Sequence, residues 1–92
     1  MNMLRYSIYS LKTEEDDFGS VVIDKTMLGY AGIPDDATNK VVFEILTGMH
    51  ILTVNHQDIK IVQLRDKNDF RDNVVFVYDI KTNIPSHMLQ IS

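Results

Sequence analysis

Three histidines are the first residues whose chemistry could define a function. His50, His56 and His87 do not recur at the spacing that would place two imidazoles on one helical face or on one side of a strand. A metal site needs such spacing because several ligands must converge on one ion. The chain also has no cysteine, which excludes thiolate ligands and nucleophiles. We therefore expect no metal and no cofactor.

Segment 66–72 is the second candidate, because its oxygen-bearing side chains alternate at first as they do in a calcium-binding loop. The pattern then fails. Phe70 stands where a third ligand is needed, and Arg71 stands where the sharp turn requires glycine. The sequence predicts an ordinary charged loop here.

Two pairs of neighbouring carboxylates, Glu14/Glu15 and Asp35/Asp36, could perform acid–base chemistry. Such neighbours in a loop or a first helical turn are usually hydrated, whereas catalytic carboxylates lie in clefts that alter their proton affinity. No phosphate-binding glycine loop, dinucleotide motif or serine nucleophile motif accompanies them. We expect no catalytic residues, and a binding protein rather than an enzyme.

The acidic side chains are the main functional signal. Residues 1–59 contain nine acids against four bases, whereas residues 60–92 contain four against five, giving a net charge of −4. Binding to nucleic acid phosphates requires clustered lysine and arginine. The sequence therefore disfavours direct nucleic-acid binding and indicates a basic partner.

One explanation of these acids is hydration of a small protein's surface. The sharper hypothesis is that they share one surface and imitate the phosphates of duplex DNA, so that a DNA-binding protein accepts them as a decoy. A charge of −4 is small for this role, and dimerisation through a sheet edge would double it. The candidate contact residues are Glu14, Glu15, Asp16, Asp17, Asp24, Asp35, Asp36 and Glu44.

The alternative function is a small protein–protein interaction module that binds by shape through a sheet edge, with an incidental acidic surface. Its tyrosine and methionine side chains would then grip the partner. In that case apolar substitutions would weaken binding more than acidic ones.

Hydrophobic patterning predicts the elements that must position these residues. Segments 3–11 and 20–24 are expected as strands, followed by a short helical turn over 25–30. The main helix is expected at 35–47, with Asp35 and Asp36 at its positive end and Gly48 after it, although the β-branched residues also permit a strand. Segments 50–54 and 59–64 are expected to form a hairpin.

The C-terminal third continues with a charged loop at 65–73 and a strand at 74–80, whose apolar character is typical of a central strand buried on both faces. Because Pro85 interrupts the pattern, segment 86–92 is expected as an edge strand or an ordered tail. Together these elements predict a single α+β domain over residues 1–92. It would have a small antiparallel sheet of about four or five strands, one main helix and a short helical turn.

The compartment is predicted from the N-terminus and from the lengths of the apolar runs. The first residues lack the pattern of a signal peptide, and no apolar run approaches the roughly 20 residues that span a bilayer. We therefore expect a cytoplasmic protein that does not bind membranes.

The chain is short, lacks cysteine and tryptophan, and is rich in Asn, Asp, Ile and Lys. In these features, and in the acidic segments EEDD (14–17) and PDDATNK (34–40), it resembles the Arn family of anti-restriction proteins of T4-like bacteriophages. The resemblance implies a homodimeric DNA mimic in the host cytoplasm. Its implied target is a McrBC-type restriction nuclease or an H-NS-like nucleoid protein. The contact residues that the resemblance implies are Glu14, Glu15, Asp16, Asp17, Asp24, Asp35 and Asp36.

Overall fold

The fold is one antiparallel sheet with one helix packed against it, as seen in a computed structural model that describes residues 2–19 and 21–92, and only the backbone of Val22. The strands follow the order β2-β1-β5-β4-β3 across the sheet. This arrangement confirms the predicted α+β class. The elements are β1 (Met3–Glu15), β2 (Val21–Pro34), α1 (Asn39–Gly48), β3 (Ile59–Leu64), β4 (Val74–Asp79) and β5 (Pro85–Ile91), with 3-10 turns at His56–Asp58 and Phe70–Asp72.

The core lies between α1 and one side of the sheet. Successive side chains of a strand point to opposite sides, so Leu4, Tyr6 and Ile8 of β1 all face the helix and are buried. From the helix, Val42 and Leu46 are completely buried. α1 contacts both β2 and β3, so it covers the sheet from one edge strand to the other. Within residues 2–19 and 21–92, no helix is long and apolar enough to cross a membrane.

The helix begins later than predicted. Thr38, not Asp35, is the N-cap, and its hydroxyl accepts a hydrogen bond from the Val41 amide at 3.3 Å. Because Pro34 still pairs with Met3, the chain needs the following residues to turn away from the sheet. The predicted C-terminal glycine is also wrong, since Gly48 is the last helical residue and the left-handed conformation occurs at His50, with φ of 60°.

Replacing Thr38 with alanine is expected to lower the free energy of unfolding by about 1 kcal/mol, because the Val41 amide loses its cap. Urea denaturation would measure the change. Thr53→Ala, in an exposed loop, is the matched control and should leave the midpoint nearly unchanged. Equal midpoints for the two variants would contradict the capping role.

The predicted helical turn at 25–30 is wrong, because these residues belong to β2. Met27 pairs with Tyr9 and Gly29 pairs with Ile8, which leaves Leu28 as a β-bulge. Gly29 has φ of +154°, a conformation that favours glycine, so the chain keeps its strand through a distortion instead of coiling. The bulge also interrupts the alternation by which a strand is recognised. Ser20, the predicted first residue of this strand, lies outside the described residues.

The predicted hairpin between 50–54 and 59–64 is also wrong. Residues 50–54 are irregular, because the amides of Ile51 and Leu52 both donate to the Leu46 carbonyl and close the end of the helix. Leu52 is nevertheless buried, which explains the apolar character that suggested a strand. β3 pairs with β4 instead.

The C-terminal segment was predicted to be an edge strand or an ordered tail, but it forms the central strand of the sheet. β5 inserts between β1 and β4, and Pro85 is tolerated because it is the first residue of the strand. β4, predicted to be central and buried on both faces, is second from the edge. Its Val75 and Val77 are completely buried against the helix side, while the alternate residues are only half-buried.

Candidate functional site

The β1–β2 hairpin extends beyond the rest of the sheet and forms an arm, defined here as residues 11–25. β1 pairs with β5 only up to Ser10, whereas its pairing with β2 continues to Glu15. The five residues of β1 after Ser10 therefore project about 17 Å as a two-stranded ribbon. Each strand of the ribbon hydrogen-bonds to the other on its inner side only, which leaves its outer edge accessible to a binding partner.

The arm concentrates the acidic charge of the chain. It contains five carboxylates, at residues 14, 15, 16, 17 and 24, against two amino groups, at residues 12 and 25. The arm therefore has a net charge of −3, compared with −4 for the whole chain. The structure thus brings together five of the eight predicted contact residues.

On the helix side of the arm, Lys12 lies between Glu14 and Asp24. Its Nζ is 2.8 Å from Glu14 Oε1, and Asp24 is its cross-strand partner. The hydrogen bond from Lys12 lowers the pKa of Glu14, and Glu14 followed by Asp24 raises the pKa of Lys12. All three side chains are exposed, so the pair adds little stability. It does favour the ionised form of Glu14.

The tip of the arm adds an aromatic ring to the carboxylates. Asp16 Oδ1 accepts a hydrogen bond from the Phe18 amide at 2.9 Å, and Gly19 closes the turn by donating to the Asp16 carbonyl. This turn holds Phe18 outward, where 93% of its surface is exposed. Sequence reasoning missed Phe18, although a single aromatic residue among charged turn residues is the signal that could have identified it. Exposed aromatic residues are frequent anchors of protein interfaces.

The other predicted contact residues lie elsewhere. Asp35 and Asp36 follow β2 at the opposite end of the hairpin, about 40 Å from the tip of the arm, because twelve residues of strand separate Met3 from Glu15. Glu44 is exposed on α1. The predicted set therefore forms one cluster on the arm and two outlying positions. A span of about 40 Å would match roughly 12 base pairs of duplex at 3.4 Å each.

A cavity of about 820 Å³ opens near Asp35 and Asp36, between the N-terminus and the charged loop at 65–73. Acidic and basic side chains mix along its wall, including Asp66, Arg65 and Lys67. Asp66 also holds the loop together, because its Oδ1 accepts from the Asn68 amide at 2.8 Å. The loop that resembled a calcium site thus uses this carboxylate to bind its own backbone.

Metal ligands do not converge in the part of the chain that the structure describes: no group of three or more histidine, cysteine or acidic side chains is close enough to hold an ion. The histidines are dispersed. His56 packs against the Phe43 ring at 4.9 Å between centroids, and His50 turns the chain after α1. His87 lies on β5, where its Nδ1 is 2.8 Å from the Ser86 hydroxyl.

Burial gives His87 a specific pH dependence. It lowers the pKa of His87 below the ordinary value of 6.5, because the charged imidazolium would lose hydration. The unfolded chain therefore binds more protons than the folded one as pH falls below 6.5, and the free energy of unfolding must fall with it. The contribution of neutral His87 to stability is fully present above the pKa that His87 has in the unfolded chain.

We expect the urea midpoint of unfolding to decrease as the pH is lowered from about 7.5 to about 5.5. This range lies above the pH at which carboxylates titrate. His87→Gln should show a smaller change over the same range. Identical pH dependence in the two proteins would contradict this role of His87.

Comparison with known proteins adds no relationship to this geometry. No protein-family model matches the chain, and neither a curated protein nor a solved structure is significantly similar to it.

Proposed function

We propose that this protein is a non-enzymatic inhibitor that binds the DNA-binding surface of a basic host protein, with the acidic arm as its main contact. The observation that supports the proposal is the projection of five carboxylates, beside an exposed Phe18, on a ribbon that leaves the sheet. Projection matters because a ribbon can enter a groove that normally holds a DNA backbone, whereas carboxylates spread over a flat surface cannot.

The mechanism is electrostatic competition. A protein that neutralises phosphates with lysine and arginine presents a positive potential, which attracts a carboxylate cluster at long range. Once the arm is bound, DNA is excluded from the same residues. No turnover is required, and the inhibitor acts in proportion to its concentration. We place this activity in the host cytoplasm, with a McrBC-type restriction nuclease or an H-NS-like nucleoid protein as the target class.

A homodimer would extend the decoy. Two arms would together present a net charge of −6, closer to the charge density of a duplex segment. β2 is an edge strand of the sheet formed by the described residues, and its outer edge is a surface through which two copies could join.

The second candidate function, an interaction module that binds by shape, is favoured by Phe18 itself. A side chain that is 93% exposed would bury a large apolar area on binding any partner. Under this alternative the acidic residues only keep the tip hydrated.

Competition with DNA tests the proposal. The protein is titrated into complexes of labelled duplex DNA with the McrBC recognition subunit or with H-NS, at about 50 mM and about 150 mM salt. Displacement of DNA that is strong at low salt and weaker at the higher salt is the expected result. Absence of displacement at both salt concentrations would contradict the decoy mechanism.

A further inference from the structure

The side of the sheet opposite α1, which is the one α-helix among residues 2–19 and 21–92, is named here the open face. Strand registers place one residue of each strand in a single row across it. Of these residues, Met27 is 43% exposed and the other four are half-buried. The row, named here the central row, is Met27, Tyr9, Met88, Phe76 and Val62.

Two further aromatic rings border the central row. Tyr78 lies beside Phe76 on β4, with ring centroids 6.1 Å apart, and Tyr30 lies on β2 with 48% of its surface exposed. An apolar, ring-bearing surface of this kind on a small protein marks an interaction site.

Cations lie over two of the rings of this face. The Arg5 guanidinium lies 4.1 Å from the Tyr30 ring centroid, and the Lys25 Nζ lies 4.6 Å from that of Tyr9. Lys60 is opposite Tyr78 on the edge strand β3. Among the described strand residues of this face, Glu15 is the single carboxylate, and it lies near the tip of the arm. In a chain of net charge −4, the fold has collected three cations on one face.

We propose that the open face binds single-stranded nucleic acid, with bases stacked on the rings and phosphates paired with Arg5, Lys25 and Lys60. Aromatic rings, two of which have a cation over their face, match the two components of a single strand, the base and the phosphate. A duplex does not offer its base faces to a sheet, so unpaired nucleotides are required. This inference goes beyond the decoy function and does not depend on it.

Charge also decides between this occupant and a second copy of the chain. Two open faces packed together would bring six cations into one interface, with one carboxylate from each copy near its margin. Like charges that are removed from water oppose such packing. An anionic partner has the opposite effect, because each phosphate neutralises a cation that the fold already holds in place.

The sequence disfavours nucleic-acid binding because its basic residues, taken in sequence order, form no cluster. Arg5, Lys25 and Lys60 belong to three separate segments, so they form no cluster in the sequence. The alternation of three strands places them on the same face. The carboxylates Glu14 and Asp24 lie on the other side of the arm, away from this face.

Fluorescence anisotropy with labelled oligothymidylate and oligouridylate of about ten nucleotides tests the proposal and separates DNA from RNA. Substituting all three cations by glutamine (Arg5→Gln, Lys25→Gln, Lys60→Gln) should weaken binding at least about tenfold at low salt. It should also reduce the slope of log K against log salt concentration by about 2, because each of the three lost phosphate contacts contributes about 0.7 to that slope. The matched triple variant Lys12→Gln, Lys40→Gln, Lys81→Gln makes the same charge change off the face and should bind like the wild type.

A double variant, Tyr9→Leu with Phe76→Leu, keeps apolar volume but removes two rings. Binding should weaken about tenfold or more, because stacking is lost while burial is largely kept. Unfolding midpoints measured beside each titration show whether the variants are folded. Three of the four tyrosines lie on this face, so intrinsic tyrosine fluorescence should also be quenched by the oligonucleotide.

Several results would overturn the proposal. Polyglutamate that binds as tightly as the oligonucleotides would assign the face to acidic peptides. A dimer in sedimentation that the double variant dissolves would assign it to a second copy. Undiminished binding by the ring or cation variants would also refute it. Replacing Glu14 and Glu15 with glutamine should leave oligonucleotide binding intact or stronger, so failure of the decoy function is distinguishable from failure of this one.

Discussion

Replacing Glu14 and Glu15 together with lysine is expected to weaken binding to H-NS or to the McrBC recognition subunit by at least about tenfold. Two attractive charges at the tip of the arm become repulsive, and tenfold corresponds to about 1.4 kcal/mol, a modest demand on two reversed interface charges. Both residues are exposed, so the folded structure should tolerate the change. Surface plasmon resonance at about 50 mM and about 150 mM salt would measure it, with the larger loss at low salt.

Two control variants make this result specific. Asp58→Lys with Asp72→Lys changes the net charge equally at exposed positions outside the arm, and should cost much less affinity. Phe18→Ala removes the aromatic ring but no charge. If Phe18→Ala weakens binding more than the double reversal does, the protein binds by shape and the carboxylates are incidental.

Replacing Leu89 with alanine is expected to lower the free energy of unfolding by about 2–5 kcal/mol. Leu89 lies at the middle of the central strand β5, where it pairs with Ile8 on one side and Val75 on the other, and all three are buried. The cavity left by the substitution cannot collapse, because strands on both sides fix the backbone. Domains of this kind have a total stability of about 5–15 kcal/mol, so the loss is a large fraction of it.

Urea denaturation followed by circular dichroism would measure that loss. Leu64→Ala is the matched control, because Leu64 is 51% exposed on the edge strand β3 and its truncation should change stability by less than about 0.5 kcal/mol. Similar midpoints for the two variants would show that β5 is not the centre of the core.

The fold class was predictable because its strongest signals are local. Alternation in β1 and the apolar run in β4 mark strands wherever they lie in the sheet, and Val42 and Leu46 mark the buried side of the helix. The order of the strands has no comparable local signal. β5 resembles an edge strand in sequence because it begins at Pro85, yet it occupies the centre, since the proline needs no hydrogen-bonding partner at the first position.

Local signals also misled where a distortion replaced regular structure. The bulge at Leu28 breaks the period of two, so β2 looked like a short strand followed by a helical turn. Asp35 and Asp36 look like residues at the start of a helix, but the preceding strand continues to Pro34 and moves the cap to Thr38. Both corrections concern β2, which continues through the bulge as far as Pro34.

The candidate site was only partly predictable for the same reason. The acidic segment 14–17 is contiguous, so the sequence identifies it directly. Its projection from the sheet depends on where β5 stops pairing with β1, at Ser10, which no pattern in residues 11–25 reveals. The open face could not be predicted at all, because Arg5, Lys25 and Lys60 lie on one face only when three separate strands take their positions in the sheet.

The most direct test of the acidic arm as the binding surface is a nuclear magnetic resonance titration of the isotope-labelled protein with H-NS or the McrBC recognition subunit. Amide signals of the arm, residues 11–25, should shift or broaden, with the largest changes near Glu14 to Phe18, and the changes should diminish as salt is raised. Changes confined to β3 and the loop at 65–73, or changes in the arm that are insensitive to salt, would contradict the account.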